Sequence, residues 1–186
     1  MTKPLIVGLS GNITAPSKTR ALVSTALELV SARLDVETDL LEINDFGSGL
    51  GAARKLNDLA PDARAKIDRL LSADGLLIAT PIYKATYPGL FKHLIDLLDP
   101  ASLSGRPVLL AATGGGEKHA LVVEHQLRPL LGFFEAQSLA TAVHASDKDF
   151  TDGALTGDAT LERLARAVTQ FDAFFPSYLR LARAAE

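Results

Sequence analysis

Three stretches of this 186-residue chain join an apolar run to a loop whose residue types can hold a flat, polar ligand. LIVGLSGN at 5–12 leads into a loop carrying Asn12, Thr14, Ser17, Lys18 and Thr19. LLIA at 76–79 leads into TPIYKATYPGLFKH, with Pro81, Ile82, Tyr83, Lys84 and Ala85 at the turn. LLAATGGG at 109–116 ends on Thr113, Gly114, Gly115 and Gly116. Short apolar runs of this kind read as buried strands. In open α/β sheets, ligands bind outside the carboxyl ends of the strands. Three such ends predict one shared site, with a Tyr and a Lys placed to face an aromatic, polar group.

The first loop suggests an anion. Free backbone amides and the helix dipole favour negative charge at a helix start, and hydroxyls with a cation complete a phosphate cup. The same residues also fit a plain helix end, with Ser17 as N-cap and Lys18 and Arg20 as surface charges. Taken alone, the loop leaves both readings open. An ATP-binding P-loop needs G-x-x-x-x-G-K-[ST]. Alignment on Gly11 puts Pro16 and Ser17 where Gly and Lys belong, and alignment on Lys18–Thr19 puts Asn12 and Ser17 at the two glycine positions. The dinucleotide pattern G-x-G-x-x-G fails as well, because Gly8 and Gly11 are wrongly spaced and no third glycine follows. A single phosphate on a mononucleotide is the expectation, with no ATPase or kinase activity.

The elements that must position these loops alternate along the chain. Strands are predicted at 5–9, 36–42, 75–79, 107–113 and 137–143, and helices at 17–34, 61–71, from 88, 120–131 and 159–183. Helix three should turn Leu90, Phe91, Leu94, Ile95 and Leu98 inward, and helix five should bury Leu161, Leu164, Val168, Phe171, Phe175 and Leu179. Such alternation predicts one domain with a parallel sheet and helices on both faces. Five strands fit the flavodoxin-like, doubly wound order 2-1-3-4-5, whose switch point lies between strands one and three. Residues 145–158 read as a polar connection; their acids lack EF-hand spacing, and the four histidines lack metal-ligand spacing, so no metal site is expected. His93 reads as exposed on helix three, His119 as preceding helix four and His144 as ending strand five.

Composition narrows the function. An apolar fraction of 47% and mean hydropathy of +0.17 mark a folded globular chain. No apolar run approaches the length of a membrane span or a secretory signal. A net charge of −3 and pI near 5.8 give no support for nucleic-acid binding. The absence of cysteine excludes disulfides, thiolate zinc sites and a Cys nucleophile, and fits a cytoplasmic setting.

The pieces SGNITAPSKT, ADGLLIATPIYKATYPGLFKHLIDLL and LAATGGGEKHALVVEHQLRPLLG resemble the NAD(P)H-dependent FMN reductases of the flavodoxin-like superfamily. They look most like the reductase components of two-component alkanesulfonate monooxygenase systems. The resemblance implies hydride transfer from NADPH or NADH to FMN, with no general acid or nucleophile in the protein. It implies phosphate binding by Asn12, Thr14, Ser17, Lys18 and Thr19, although many members have Ser and Arg where this chain has Asn12 and Thr14. It implies that residues 81–85 hold the isoalloxazine edge and that residues 113–116 lie on the ring's other side. It further implies a homo-oligomer, a tetramer or a dimer, and a flavin-dependent monooxygenase as partner. Alkanesulfonate-type members carry a Tyr inserted in helix four as a π-bulge at the tetramer interface, near the flavin. This chain has His125 there, either partner-facing or an ordinary surface residue. Two other readings are a flavoprotein that retains FMN and reduces quinones, azo dyes or metal oxyanions, and a flavodoxin-like electron carrier. Against the carrier stand the absence of Trp and the small net charge.

Overall fold

Buried apolar runs and amphipathic helices alternate as their periodicity predicts, in a computed structural model that describes residues 2–180. In chain order the main elements are β1 (Leu5–Ser10), α1 (Lys18–Arg33), β2 (Glu37–Glu42), α2 (Pro61–Leu71), β3 (Gly75–Pro81), α3 (Gly89–Asp96) and β4 (Pro107–Gly114). They are followed by a π turn (Val123–Leu127), α4 (Arg128–Phe133), β5 (Gln137–Ser138), β6 (Val143–Ser146), the hairpin β7 (Phe150–Thr151) and β8 (Ala154–Leu155), and α5 (Asp158–Val168). The sheet is parallel and runs β2-β1-β3-β4, with β5 and β6 both on the outer side of β4. This is the 2-1-3-4-5 order, with its switch point between β1 and β3.

Strand alternation sorts the core into two layers. Leu5, Val7 and Leu9 of β1 pack with α2, α3 and α4 on one face. Ile6 packs with α1 and α5 on the other. Both layers hold side chains with essentially no exposure, including Ile67 and Phe91 on the first and Leu22 and Phe171 on the second. Among the described residues no helix is long and apolar enough to cross a membrane.

Several expectations are corrected. The fifth strand, expected over 137–143, is two short strands with a four-residue break. Through that break the backbone is satisfied largely by side chains instead of a ladder. Gln170 Oε1 accepts the Thr141 N–H at 3.1 Å, and Arg128 and Arg163 donate to the carbonyls of Leu139 and Ala142 at 3.1 and 2.6 Å. Helix five ends as α-helix at Val168 and tightens into 3₁₀ turns, and Pro176 forbids its continuation. Its expected part over 181–183 lies outside the described residues. Leu179 is accordingly 42% exposed and Leu161 only half-buried. Leu90 of α3 is 37% exposed, while Phe91, Leu94, Ile95 and Leu98 are buried as expected.

Helix four is not one α-helix. The Arg128 N–H reaches back five residues to the Val123 carbonyl, which widens the turn. Pro129 follows at once, and its missing N–H denies the His125 carbonyl an ordinary helical donor. The widened turn and the proline thus break the regular ladder at the same place.

Candidate functional site

A cleft of about 290 Å³ opens at the carboxyl ends of β1, β3 and β4, where the three loops converge. Asn12, Thr14, Ser17, Lys18 and Thr19 form one end of it, and Pro81, Ile82, Tyr83, Thr113, Gly114 and Gly115 the other. Lys84, Ala85, Gly116 and His125 do not reach its wall. Lys84 and Ala85 form the exposed tip of their turn, and Gly116 leads away into a short 3₁₀ helix. His125 is exposed on the π turn, outside this cleft.

Four lining residues were not legible in the sequence: Pro16, Ala145, Asp147 and Phe150. The last three sit in or just after β6. Its register against β4, with Thr113 opposite Ala145 and Gly114 opposite Ser146, carries the following turn over the glycine loop. The residues looked like part of a polar connection because only the pairing places them.

At the α1 end most side-chain groups already have partners. The Asn12 amide accepts from Ser10 Oγ at 2.5 Å and donates to the Thr14 carbonyl at 3.0 Å and to Glu42 Oε1 at 2.9 Å. Buried and fully engaged, Asn12 braces the loop and offers a ligand little. Thr19 Oγ1 lies 2.6 Å from Thr113 Oγ1 and ties α1 to β4. Ser17 is indeed the N-cap, its Oγ accepting from the Arg20 N–H at 3.1 Å, and its hydroxyl still lines the cleft. The Ala21 N–H goes to the Ser17 carbonyl, which leaves the amides of Lys18 and Thr19 without an acceptor inside the helix. Lys18 Nζ sits 2.8 Å from Asp147 Oδ1 and 5.8 Å from the centre of the Phe150 ring.

The other end is made of backbone. The Ile82 N–H donates to the Thr113 carbonyl at 2.8 Å, locking the second and third loops together. Tyr83 and Thr86 exchange backbone hydrogen bonds across a two-residue turn whose central residues, Lys84 and Ala85, have φ of 53° and 71°. Turns of that kind normally carry Gly, Asn or Asp, so two ordinary residues there hold backbone strain of the sort that collects at binding sites. Thr86 Oγ1 donates to Gln126 Oε1 at 3.2 Å and so connects this turn to the π turn. At Gly114 a Cβ would come within 3.2 Å of both Ile82 Cδ1 and His119 Cβ and within 3.3 Å of His144 Nε2. A side chain there would have to push these neighbours aside, and glycine lets the strand end pass without that displacement.

His144 lies beneath this loop. Its Nε2 is buried without a hydrogen-bond partner. Burial pushes its pKa below the ordinary histidine value and nearby His119 lowers it further, against the opposing pull of Asp149 and Glu117. His93, expected on an exposed face, is half-buried with Nε2 2.9 Å from the Ala53 carbonyl. Among the described residues no cluster of His, Asp and Glu could hold a metal ion.

Hydroxyls, free amides and one cation at one end of a switch-point cleft, with glycine backbone and Tyr83 at the other, are the features of a mononucleotide-binding flavodoxin-like fold. The family model described as NADPH-dependent FMN reductase matches residues 4–151. The chain is 41% identical over 181 residues to the NADH-dependent FMN reductase SfnF of Pseudomonas fluorescens, covering 97% of each. It is likewise 41% identical over 165 residues to an FMN reductase (NADPH) of Pseudomonas aeruginosa, covering 88% of this chain and 89% of the other. A solved NADH:FMN oxidoreductase, EmoB in its apo form, superposes with a TM-score of 0.78 at 29% identity, over 98% of this chain and 97% of its own. The chain belongs to the NADPH-dependent FMN reductase family.

The residues present fit FMN. The unengaged amides of Lys18 and Thr19 and the Ser17 hydroxyl suit a phosphate, and the Gly114–Gly115 backbone on the cleft wall suits close approach to a ring.

Proposed function

We propose that this protein is an NAD(P)H:FMN oxidoreductase that takes FMN as an exchangeable substrate and hands it on reduced to a flavin-dependent monooxygenase. The observation that carries the reading is the convergence of the three loops on one switch-point cleft, in a chain of this family. FMN supplies the hydride-accepting ring, and the protein supplies position and electrostatics. Ser17 and the amides of Lys18 and Thr19 would hold the phosphate. Ile82 and Tyr83 would fix one edge of the ring, and the Gly114–Gly115 backbone the other. The strained Lys84–Ala85 turn keeps Tyr83 at the cleft mouth, while the ammonium of Lys84 stands in solvent.

The same reading includes a homo-oligomer, a tetramer or a dimer, in the cytoplasm. Leu121 and Phe133, 64% and 66% exposed on the helix-four segment, support a covered face there. His125 lies between them in sequence, on the π turn that Gln126 links to the Tyr83 loop. Its place in the reading is therefore at a subunit contact, with its influence on flavin exerted across that contact.

The test is NADH and NADPH oxidation by purified protein with and without added FMN, alongside the protein's colour. Colourless protein that oxidises nicotinamide only when FMN is added supports the reading. Yellow protein that reduces quinones or azo dyes without added flavin would replace it with a retained-flavin reductase.

A further inference from the structure

In this cleft the wall contributed by the segment after β6 works against the group that the α1 end attracts. Among the described residues, Lys18 and Asp147 are the only charged side chains lining the cleft, and they are paired at 2.8 Å. Their formal charges cancel. Arg20, also on α1, lines a neighbouring hollow and is held by Glu42 at 3.0 Å. Phe150, from the same segment as Asp147, covers the Lys18 ammonium from another side.

The segment that presents Asp147 is built to hold its place. Asp149 accepts the Ser146 N–H at 2.7 Å, the Ser146 hydroxyl at 2.8 Å and the Thr160 hydroxyl at 3.0 Å. Its carbonyl accepts the Thr156 and Gly157 N–H groups. A Cβ at residue 157 would lie 2.5 Å from Asp149 Oδ1, so the returning chain must be glycine to pack this closely. The backbone that carries Asp147 is thus held at the cleft wall before any ligand arrives, and its carboxylate, on a side chain 63% exposed, meets Lys18 there.

We infer that Asp147 is a specificity-determining residue that competes with the FMN phosphate for Lys18, so that the phosphate adds little affinity and the flavin leaves readily after reduction. This rests on the FMN reductase reading and extends it, by naming the residue that keeps FMN exchangeable. A phosphate entering between the α1 amides and Lys18 must displace a carboxylate already there. It then has that carboxylate as a like-charged neighbour, and repulsion between charges a few ångströms apart is felt even near water. Riboflavin, with no phosphate, meets neither cost.

The experiment measures dissociation constants of FMN and riboflavin by flavin fluorescence on the full chain, for wild type, Asp147→Asn, Lys18→Ala and the double variant. Exposed charge pairs have modest energies, so Asp147→Asn should tighten FMN about 3- to 10-fold and leave riboflavin within about 2-fold. Lys18→Ala should weaken FMN and spare riboflavin, and stopped-flow release of FMN should slow in Asp147→Asn. An unchanged ratio of FMN to riboflavin affinity in Asp147→Asn overturns the inference. So does weaker FMN binding in that variant, which would mean that Asp147 orders Lys18 for the phosphate. If no variant binds either flavin, the FMN reductase reading itself fails. If flavin binds but Lys18→Ala leaves the ratio unchanged, the phosphate lies elsewhere and only the present inference falls.

Discussion

The two ends of the cleft are made of different material. At the α1 end, side chains from Ser10, Asn12, Thr19, Glu42 and Thr113 bond chiefly to one another, and a ligand is left with the exposed Thr14, one capping hydroxyl, two amides and a neutralised lysine. At the glycine end, backbone forms the wall, the loops are joined main chain to main chain, and a strained turn sets the mouth. Side-chain networks tolerate exchange of a ligand because their polar groups already have partners. A backbone wall gives shape selection, because its main chain is tied into the sheet end. On the proposed reading, recognition of a ring and release of a nucleotide are served by that division.

The comparison can be broken or sharpened by substitution. The largest effect is expected from Asp149→Ala, which orphans the Ser146 and Thr160 donors and loosens the wall that carries Asp147. Hydrogen bonds to a carboxylate contribute roughly 1.5–3 kcal/mol each, so a loss near 3 kcal/mol in urea unfolding is expected. A loss under about 1 kcal/mol would show that the segment is held by its apolar contacts instead.

Gly114→Val should come next and act on binding. Its branched side chain has to enter a space where even a Cβ is crowded by Ile82, His119 and His144. A loss of flavin affinity of at least about 10-fold is expected, for FMN and riboflavin alike, corresponding to about 1.4 kcal/mol or more. Titration of both flavins checks it, and a loss confined to FMN would contradict the assignment of this end to the ring.

Ser17→Ala tests the other end. Loss of the cap should cost about 1 kcal/mol of stability. It should also weaken FMN more than riboflavin, read by thermal melts and the same titrations. Equal weakening of both flavins would remove Ser17 from the phosphate site.

His144 yields a pH dependence of known sign. Its folded-state pKa is depressed, chiefly by burial, so the unfolded chain takes up the proton more readily. Stability should therefore be unaffected by this group above the unfolded value of about 6.5 and should fall as pH drops below it. His144→Leu should flatten the urea-midpoint profile between about pH 6.5 and 5. The smallest effect belongs to Ala85→Gly. Relief of the positive-φ strain, offset by the greater freedom of an unfolded glycine, predicts a gain of about 0.5 kcal/mol with flavin affinity reduced little. A destabilised Ala85→Gly protein would show that the turn holds no strain.

The sequence by itself determined the sheet order, the placing of helices on both faces and the convergence of the three loops. Each rests on a local signal: strand runs such as LLIA, helix periodicity as in α1, and a polar loop directly after each strand. Ser17 as a cap followed from residue type alone. The tertiary structure alone decided what the loop side chains do. Asn12 and Thr19 carry ligand-binding groups in the sequence, yet both are used in bracing, because their partners Glu42 and Thr113 are distant along the chain and near only once β1, β2 and β4 align. The break between β5 and β6 was hidden for the same reason, since Arg128, Arg163 and Gln170 come to it from other elements. Asp147 reads as one acid among several in a polar stretch, and the β4–β6 register places it against Lys18, 129 residues away. Local patterns encode which surface each element buries, whereas a polar side chain's role depends on its partner, and the fold brings that partner from far along the chain.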